Sequence, residues 1–560
     1  MNFLKNGTYV TLVSFGLVAC GGGASSTPTG TTINKSVTIA VAALPHVESL
    51  GIANTIHTKV SLGNTPKDVY VLLSNYANNS GSVRITKSNK SIDVADVQSN
   101  KITNPKSNII HAPEYVERFR RNIDQYLNKD GNIVVSSKLV DTIQRNKKDV
   151  LNDQKTFYLD VDTSQSTVAT VRKVVSNVST EFGNKTLNIW VSNDSFGSGC
   201  SKSKCVTETM LDALADTFLK TGIDNDIYDW VTNVYGEEWG TQSNNSLILP
   251  NNEITILLTD IGEDNSQTGG VLGFFFEKDN YKKSKLSRSN ERIMFYIDSV
   301  LFANGEGTWS IDDYWPKEMV STLAHEFQHM IHFYQKTTIL ENDNYTDIWI
   351  NEMLSETTED LVATKIKHTG SRGVDPLIGS AGDPNNSEGR YPLFNANNRL
   401  SLTAWQGNIE NYSNVNAFGA YLIRNYGGAK VLHDIMYNTH LDEQAVVSAV
   451  NQAPNGAGKT FNDLLKEWGT AVLLSDNDNL STNLPVYNTG DFTLDTYKNS
   501  TYKIGSVNFF NYSPAPKVSN AVGTIEKQGN YYYKVGTNVT GDISIDLNLN
   551  GKIEAILIAK

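Results

Sequence analysis

Two histidines four residues apart bracket a glutamate in the run Ala324-His325-Glu326-Phe327-Gln328-His329-Met330-Ile331-His332, an HExxH motif. An α-helix turns about 100° per residue, so on a helix His325 and His329 stand one turn apart on one face, with Glu326 beside them. Two imidazoles so placed can meet one metal ion. Catalytic Zn²⁺ takes three protein ligands and keeps a fourth position open to water, whose proton a neighbouring carboxylate can accept. The chemistry implied is metal-assisted hydrolysis, with His325 and His329 as ligands and Glu326 as general base. The flanking residues supply the helix this needs. Glu318 to Leu323 carry no Gly or Pro, Met319, Thr322, Leu323 and Phe327 keep an apolar side at helical spacing, and Pro316 sits where a helix starts. His332 shares part of the face, but one helix does not place three imidazoles in tetrahedral array, so it reads as a packed histidine.

The third ligand must come from elsewhere in the chain. A metzincin would have a His six residues after His329 and a Gly three residues after it, where this chain has Gln335 and His332. A gluzincin takes its third ligand from a Glu on a following helix, in a segment of the form Asn-Glu-x-x-x-acid. Asn351, Glu352 and Glu356 meet that form, in a stretch from Trp349 to Leu361 that is helical in character and dense in carboxylates, with Met353, Leu354, Leu361 and Val362 to pack it. Glu352 is therefore the expected third ligand. Glu356, one turn further along, and Asn351 are expected to hydrogen-bond the ligating histidines, fixing their tautomer and raising their basicity.

The segments Arg292 to Asp298, His325 to His329, Trp349 to Glu356 and Tyr412 to Gly428 together resemble the hyicolysin-type (M30) zinc metallopeptidases, which share the gluzincin plan of thermolysin. The resemblance covers Thr156 to Asp476. It implies a thermolysin-like zincin core, Zn²⁺ as cofactor, a protein or peptide substrate, and a Ca²⁺ ion for which the sequence offers no EF-hand-like spacing. It also implies a tyrosine-bearing helix from which a phenol or imidazole donates to the oxyanion of the attacked carbonyl. Tyr412 is the expected donor, with Tyr421, Tyr426 and His433 as competitors. An aminopeptidase would need an acidic anchor for the substrate's amine, and no Gly-x-Met-Glu-Asn-like segment is present.

The 560-residue chain opens on Lys5 and an apolar run from Tyr9 to Ala19, the pattern of an export signal too short to serve as a membrane anchor. Leu17-Val18-Ala19-Cys20 resembles a bacterial lipobox, which implies cleavage before Cys20, acylation of that cysteine and a lipid anchor at the cell envelope, or extracellular release after further processing. The formal net charge of −12 argues against nucleic acid as a partner. Cys200 and Cys205, in a Gly/Ser-rich loop of an exported chain, are expected to form a disulfide, with free thiols or a second metal site as the alternatives.

The expected fold class is α+β: a mixed sheet and an HExxH-bearing helical lobe, flanked by β-rich domains at both ends. The expected order is a signal peptide over 1–19, a Gly/Ser/Thr-rich tether over 20–36, an N-terminal β domain over 37–150, a sheet lobe over 151–300, a helical zinc lobe over 301–480 and a C-terminal β domain over 484–560. Ile543, Ile545, Leu547 and Leu549 alternate strictly before Asn550-Gly551, the mark of a strand and turn in that last domain. The region from Val37 to about Asp149 has a second reading, as an inhibitory prosegment. The rival to a working endopeptidase is an inactive surface-binding lipoprotein built on a peptidase scaffold. Oligomeric state is not written in the sequence.

Overall fold

Runs rich in β-branched residues between positions 154 and 298 assemble into one six-stranded mixed sheet. The structure is a computed structural model that describes residues 30–39, 45–88, 109–110, 112–129, 148–340, 345–368, 389–478, 480–490 and 492–560; residues 1–19, expected to be an export signal, and Cys20 lie outside them. Gly273–Phe275 forms one edge of the sheet, followed in order by Ile293–Asp298, Glu253–Thr259, Gly183–Ser192, Ser166–Thr180 and Gln154–Tyr158. The three central strands are parallel, while the edge strand Gly273–Phe275 runs antiparallel to its neighbour. Ile293–Asp298 is buried along its whole length, as a strand covered on both faces must be. The helices Glu208–Phe218 and Ile227–Tyr235 lie between Gly183–Ser192 and Glu253–Thr259 in sequence, where the helical periodicity places them.

The motif lies on Tyr314–His332, a helix of 19 residues in which every residue from Pro316 to His332 is buried. Pro316 is tolerated because it falls in the first turn, where its missing N–H has no partner to lose. Ile348–Ile366 runs back against this helix, and Ile409–Asn425 packs on the other side of Ile348–Ile366. That second contact is close enough that a Cβ on Gly419 would stand 1.9 Å from Thr357 Oγ1. Only glycine lets the two helices approach so far.

The β regions at the two chain ends do not form separate flanking domains, contrary to expectation. Asp542–Asn550 lies between Thr55–Ser61 and Gly81–Ser88 in a five-stranded sheet whose outer strands are Thr32–Thr38 and Val522–Ile525. Ile553–Ala559 lies between Lys67–Asn75 and His46–Ile52 in a four-stranded sheet completed by Asn530–Val539. The two sheets share one apolar core, and the alternation of Ile543, Ile545, Leu547 and Leu549 marks their inward face. Removal of 37–149 as a single prosegment would strip both neighbours from Asp542–Asn550.

Two further boundaries move. The tether does not extend to residue 36, because Thr32–Thr38 is a strand with Val37 buried; its Thr and Ile content suits a pleated edge as well as a linker. Residues 484–512 belong with the catalytic helices, since Tyr487, Tyr502, Val507 and Phe509 are part of that core and the Tyr502 hydroxyl donates to the carbonyl of Trp230 at 2.8 Å. The helix Phe461–Leu473 joins the two bodies by docking on Lys67–Asn75, and Asn530 Nδ2 donates to its Leu465 carbonyl at 2.9 Å.

Candidate active site

Antiparallel packing of Tyr314–His332 on Ile348–Ile366 sets the register of the site. His329 faces Asn351, Glu352 and Ser355, and one turn earlier His325 faces Glu359. His325 Nδ1 lies 2.9 Å from Glu359 Oε1, and His329 Nδ1 lies 3.1 Å from Asn351 Oδ1 and 3.2 Å from Ser355 Oγ. Carboxylate and amide oxygens accept, so both Nδ1 atoms donate, and in the neutral rings that a metal would bind both Nε2 atoms present lone pairs. Those two Nε2 atoms are 3.1 Å apart, and Glu352 Oε2 lies 3.4 Å from each. Three buried acceptors thus converge, and Glu352 Oε2 has no hydrogen-bond partner in the structure. Such a cluster calls for positive charge, which a metal ion or a proton on the imidazoles can supply.

The fit to Zn²⁺ is close: ligands about 2.0–2.1 Å from a tetrahedral ion stand about 3.3 Å from one another. The protonation behaviour expresses the same demand for positive charge. Burial draws His325 down, but hydrogen bonds to Glu352 and Glu359 and the charge of Glu326 outweigh it and hold the imidazole well above its usual range. Burial raises Glu352, yet His329 and His325 hold it well below the usual carboxylate range. His332 is pushed the other way, well below its ordinary value, by burial and by the nearby positive charge of Lys336, and so stays neutral.

Glu326 is buried beside the two histidines, with one ligand-type atom from each of His325, Glu326 and His329 lying within 4.8 Å of one another. Its Oε2 accepts the main-chain N–H of Phe275 at 2.7 Å, which ties the carboxylate to the sheet edge. Burial raises its pKa, opposed by the neighbouring His325 and Arg120. A carboxylate so raised can both take and return a proton.

The remaining expected residues divide. Tyr412 is buried, with Trp405 edge-on at 4.9 Å, and burial followed by the charge of Glu352 holds its phenol well above the usual range, so it keeps its proton. The competitors lie on other partners: Tyr421 and Tyr426 both donate to Glu467, and His433 stacks on Tyr437 at 4.4 Å. Glu356 is placed differently from expectation. Its carboxylate accepts Arg390 Nε at 2.9 Å, Arg390 Nη2 at 3.1 Å and Asn416 Nδ2 at 3.0 Å, while Glu359 takes the His325 Nδ1 bond. Glu352, Glu356 and Glu359 share one helix face at i, i+4 and i+7, and the antiparallel register carries His325 to the last of them. That spacing was the signal for Glu359. Arg390, on Arg390–Asn397, had no local signal at all. Cys200 and Cys205 are joined, with Cα atoms 5.9 Å apart. Among the described residues, the two clusters of at least three ligand-type side chains both contain His325, and neither gives a separate place for Ca²⁺.

Helix, carboxylate and sheet edge define the HExxH class of metallopeptidases. The sequence profile of the peptidase M30 family matches residues 162–527, and the chain belongs to that family. The neutral metalloprotease ShpI of Staphylococcus hyicus is 24% identical over 274 residues, which are 49% of this chain and 53% of that protein. The chain thus spans about half the length of that curated relative. Among solved structures, an alanine mutant of an M1 zinc metallopeptidase from Deinococcus radiodurans is similar at 10% identity over 57% of this chain and 60% of that chain, with a TM-score of 0.30. The M1 zinc metallopeptidase itself gives 9% identity over 74% and 62%, with a TM-score of 0.27.

Proposed function

We propose that the protein is a zinc-dependent endopeptidase acting on proteins or peptides outside the cytoplasm. One observation supports this above the others: His325 Nε2, His329 Nε2 and Glu352 Oε2 converge within 3.4 Å of one another, beside a Glu326 carboxylate tied to the edge strand of the sheet. A zinc ion bound there would supply Lewis acidity toward the scissile carbonyl and water. His325, His329 and Glu352 would hold it, with Glu359, Asn351 and Ser355 orienting the imidazoles. Glu326 takes the proton from the attacking water and returns it to the leaving amine. Tyr412 donates its phenolic proton in a hydrogen bond to the oxyanion. The substrate main chain lies along Gly273–Phe275, the edge strand that carries the anchor of Glu326.

Zinc quantified by emission spectrometry and cleavage of a peptide library, in one sample with and without chelator, test this reading. About one zinc per chain and chelator-sensitive cleavage at internal bonds are expected. Zinc-loaded protein that cleaves no peptide would make it a binding protein on a peptidase scaffold, and release of single N-terminal residues alone would make it an aminopeptidase. Export and a lipid on Cys20 are part of the proposal, supported by the leader sequence; among the described residues no helix is long and apolar enough to cross a membrane. Intact-mass analysis of the mature protein checks the lipid.

A further inference from the structure

A stretch far from the catalytic helices in sequence reaches into the site. Ile109–Ile110 pairs in parallel with Gly270–Val271, just ahead of the edge strand Gly273–Phe275. The chain then runs through the short helices Glu114–Arg121 and Ile123–Lys129. Phe119 is fully buried, its ring 5.3 Å from Phe276 and 6.4 Å from Tyr281, and Tyr115 stands edge-on to Phe274 at 6.0 Å. Arg120 Nη2 donates to the carbonyl of Phe275 at 3.0 Å, so the N–H of Phe275 serves Glu326 and its carbonyl serves Arg120.

The guanidinium also bridges acids. Arg120 Nε lies 3.2 Å from Glu277 Oε1, and Nη1 lies 3.0 Å from Glu117 Oε1 and 3.9 Å from Glu352 Oε1. A cavity of about 430 Å³ is lined on one side by Arg120 and Asp124 and on the other by His329, Glu352 and Glu277. Glu277 is 3% exposed, and a carboxylate so buried needs a cation against it. The edge main chain and the acidic wall that an extended peptide would use are therefore both engaged by the protein's own residues.

Resting on the peptidase reading, we propose that Ile109–Ile110 and residues 112–127 are an internal occupant of the substrate cleft, displaced when an extended peptide binds, and that Glu277 is a specificity-determining carboxylate whose substrate is a basic side chain in the place of Arg120. The chemistry is direct: a peptide strand replaces the main-chain pairing at Gly270–Val271 and the Arg120 bond to the Phe275 carbonyl, and an arginine or lysine of the substrate restores the cation at Glu277.

The test uses the full chain with recognition sequences for a site-specific protease in place of residues 96–101 and 136–141, so that the segment between can be cut out after folding. Excision is expected to raise kcat/KM at least tenfold on peptides with Arg or Lys beside the scissile bond, with zinc per chain unchanged. A synthetic peptide of residues 109–127 added back should inhibit competitively, and Arg120→Ala in that peptide should abolish the inhibition. In the excised enzyme, Glu277→Gln should reduce the preference for Lys over its uncharged isostere norleucine at least tenfold. Equal activity before and after excision, loss of zinc together with activity, or an unchanged preference in the Glu277→Gln enzyme would each overturn the proposal. Zinc-loaded protein that hydrolyses no peptide either cut or uncut would overturn the peptidase reading beneath it.

Discussion

The helix pair at the site and the strand Asp542–Asn550 at the heart of the terminal sandwich are buried alike, but their interiors are held by different forces. Along the strand, alternate residues are apolar and face a core of Ile56, Val60, Ile85 and Leu557, so burial is its own reward at about 1.5–3 kcal/mol per large side chain. Along the helix pair, the buried groups include His325, Glu326, Gln328, His329, Glu352, Glu356 and Glu359. Each costs free energy unless matched to a partner, so position is fixed by hydrogen bonds and charge. A change in the strand should therefore alter how firmly the protein folds, and a change in the helix pair should alter what it can hold and do.

The largest separation should come from Glu326→Gln. Glutamine keeps the shape and can still accept the Phe275 N–H, but it cannot carry a proton. Turnover of a peptide is expected to fall between about 10² and 10⁴-fold, with zinc per chain and Tm unchanged. A comparable rate in the variant would remove Glu326 from the chemistry. A large drop in Tm would show instead that the helix pair is stabilised by the very group assigned to catalysis.

Arg390→Met should fall almost as hard, but on the fold. It leaves the Glu356 carboxylate buried with Asn416 in place of a two-point guanidinium contact, a loss of about 3–5 kcal/mol in urea denaturation. Adding Glu356→Leu should recover much of that loss, because an apolar pair of similar volume avoids the desolvation. If the double variant is no more stable than the single one, Glu356 is doing something beyond its pairing with Arg390, and the separation between neighbouring carboxylates on this helix is blurred.

On the other side of the comparison stands Leu547→Ala. Leu547 is fully buried and faces Ile56 and Ile85 in register, so truncation should cost about 2–5 kcal/mol. The folded fraction should keep its zinc and its kcat/KM. Altered kinetics at full folding would mean that the sandwich communicates with the site through Phe461–Leu473, which docks on Lys67–Asn75.

What could be read in advance follows the same division. Local periodicity reveals the helix of the motif, the strands Leu187–Val191 and Glu253–Leu258, and the alternation from Ile543 to Leu549, because each is a pattern within a few turns or pleats. The placement of Glu352 is legible because it lies one loop beyond His329 in a recognisable order. The pairing of the two chain ends is not, since nothing local in Asp542–Asn550 says that its neighbours lie some 450 to 490 residues earlier. Arg390 and Arg120 are hidden for the same reason: a buried ion pair across distant segments leaves no trace in either segment alone.

The smallest expected effect is the most informative about how the site is built. Glu359 accepts from His325 Nδ1 and from the hydroxyl of Ser321 at 3.0 Å, so it fixes the ring and makes Nε2 the more basic nitrogen without facing the cation itself. Glu359→Gln keeps an oxygen that can accept but removes the charge. Zinc affinity, measured by competition with a chelating dye, should fall about 10 to 100-fold, and turnover at saturating zinc should change less than affinity does. Asn351→Ala should act on His329 in the same direction but more weakly, because a neutral amide is lost in place of a charge and Ser355 stands 3.2 Å from the same nitrogen. Equal effects at the two positions would mean that orientation alone matters to the imidazoles. A larger effect at Glu359 makes charge the stronger part.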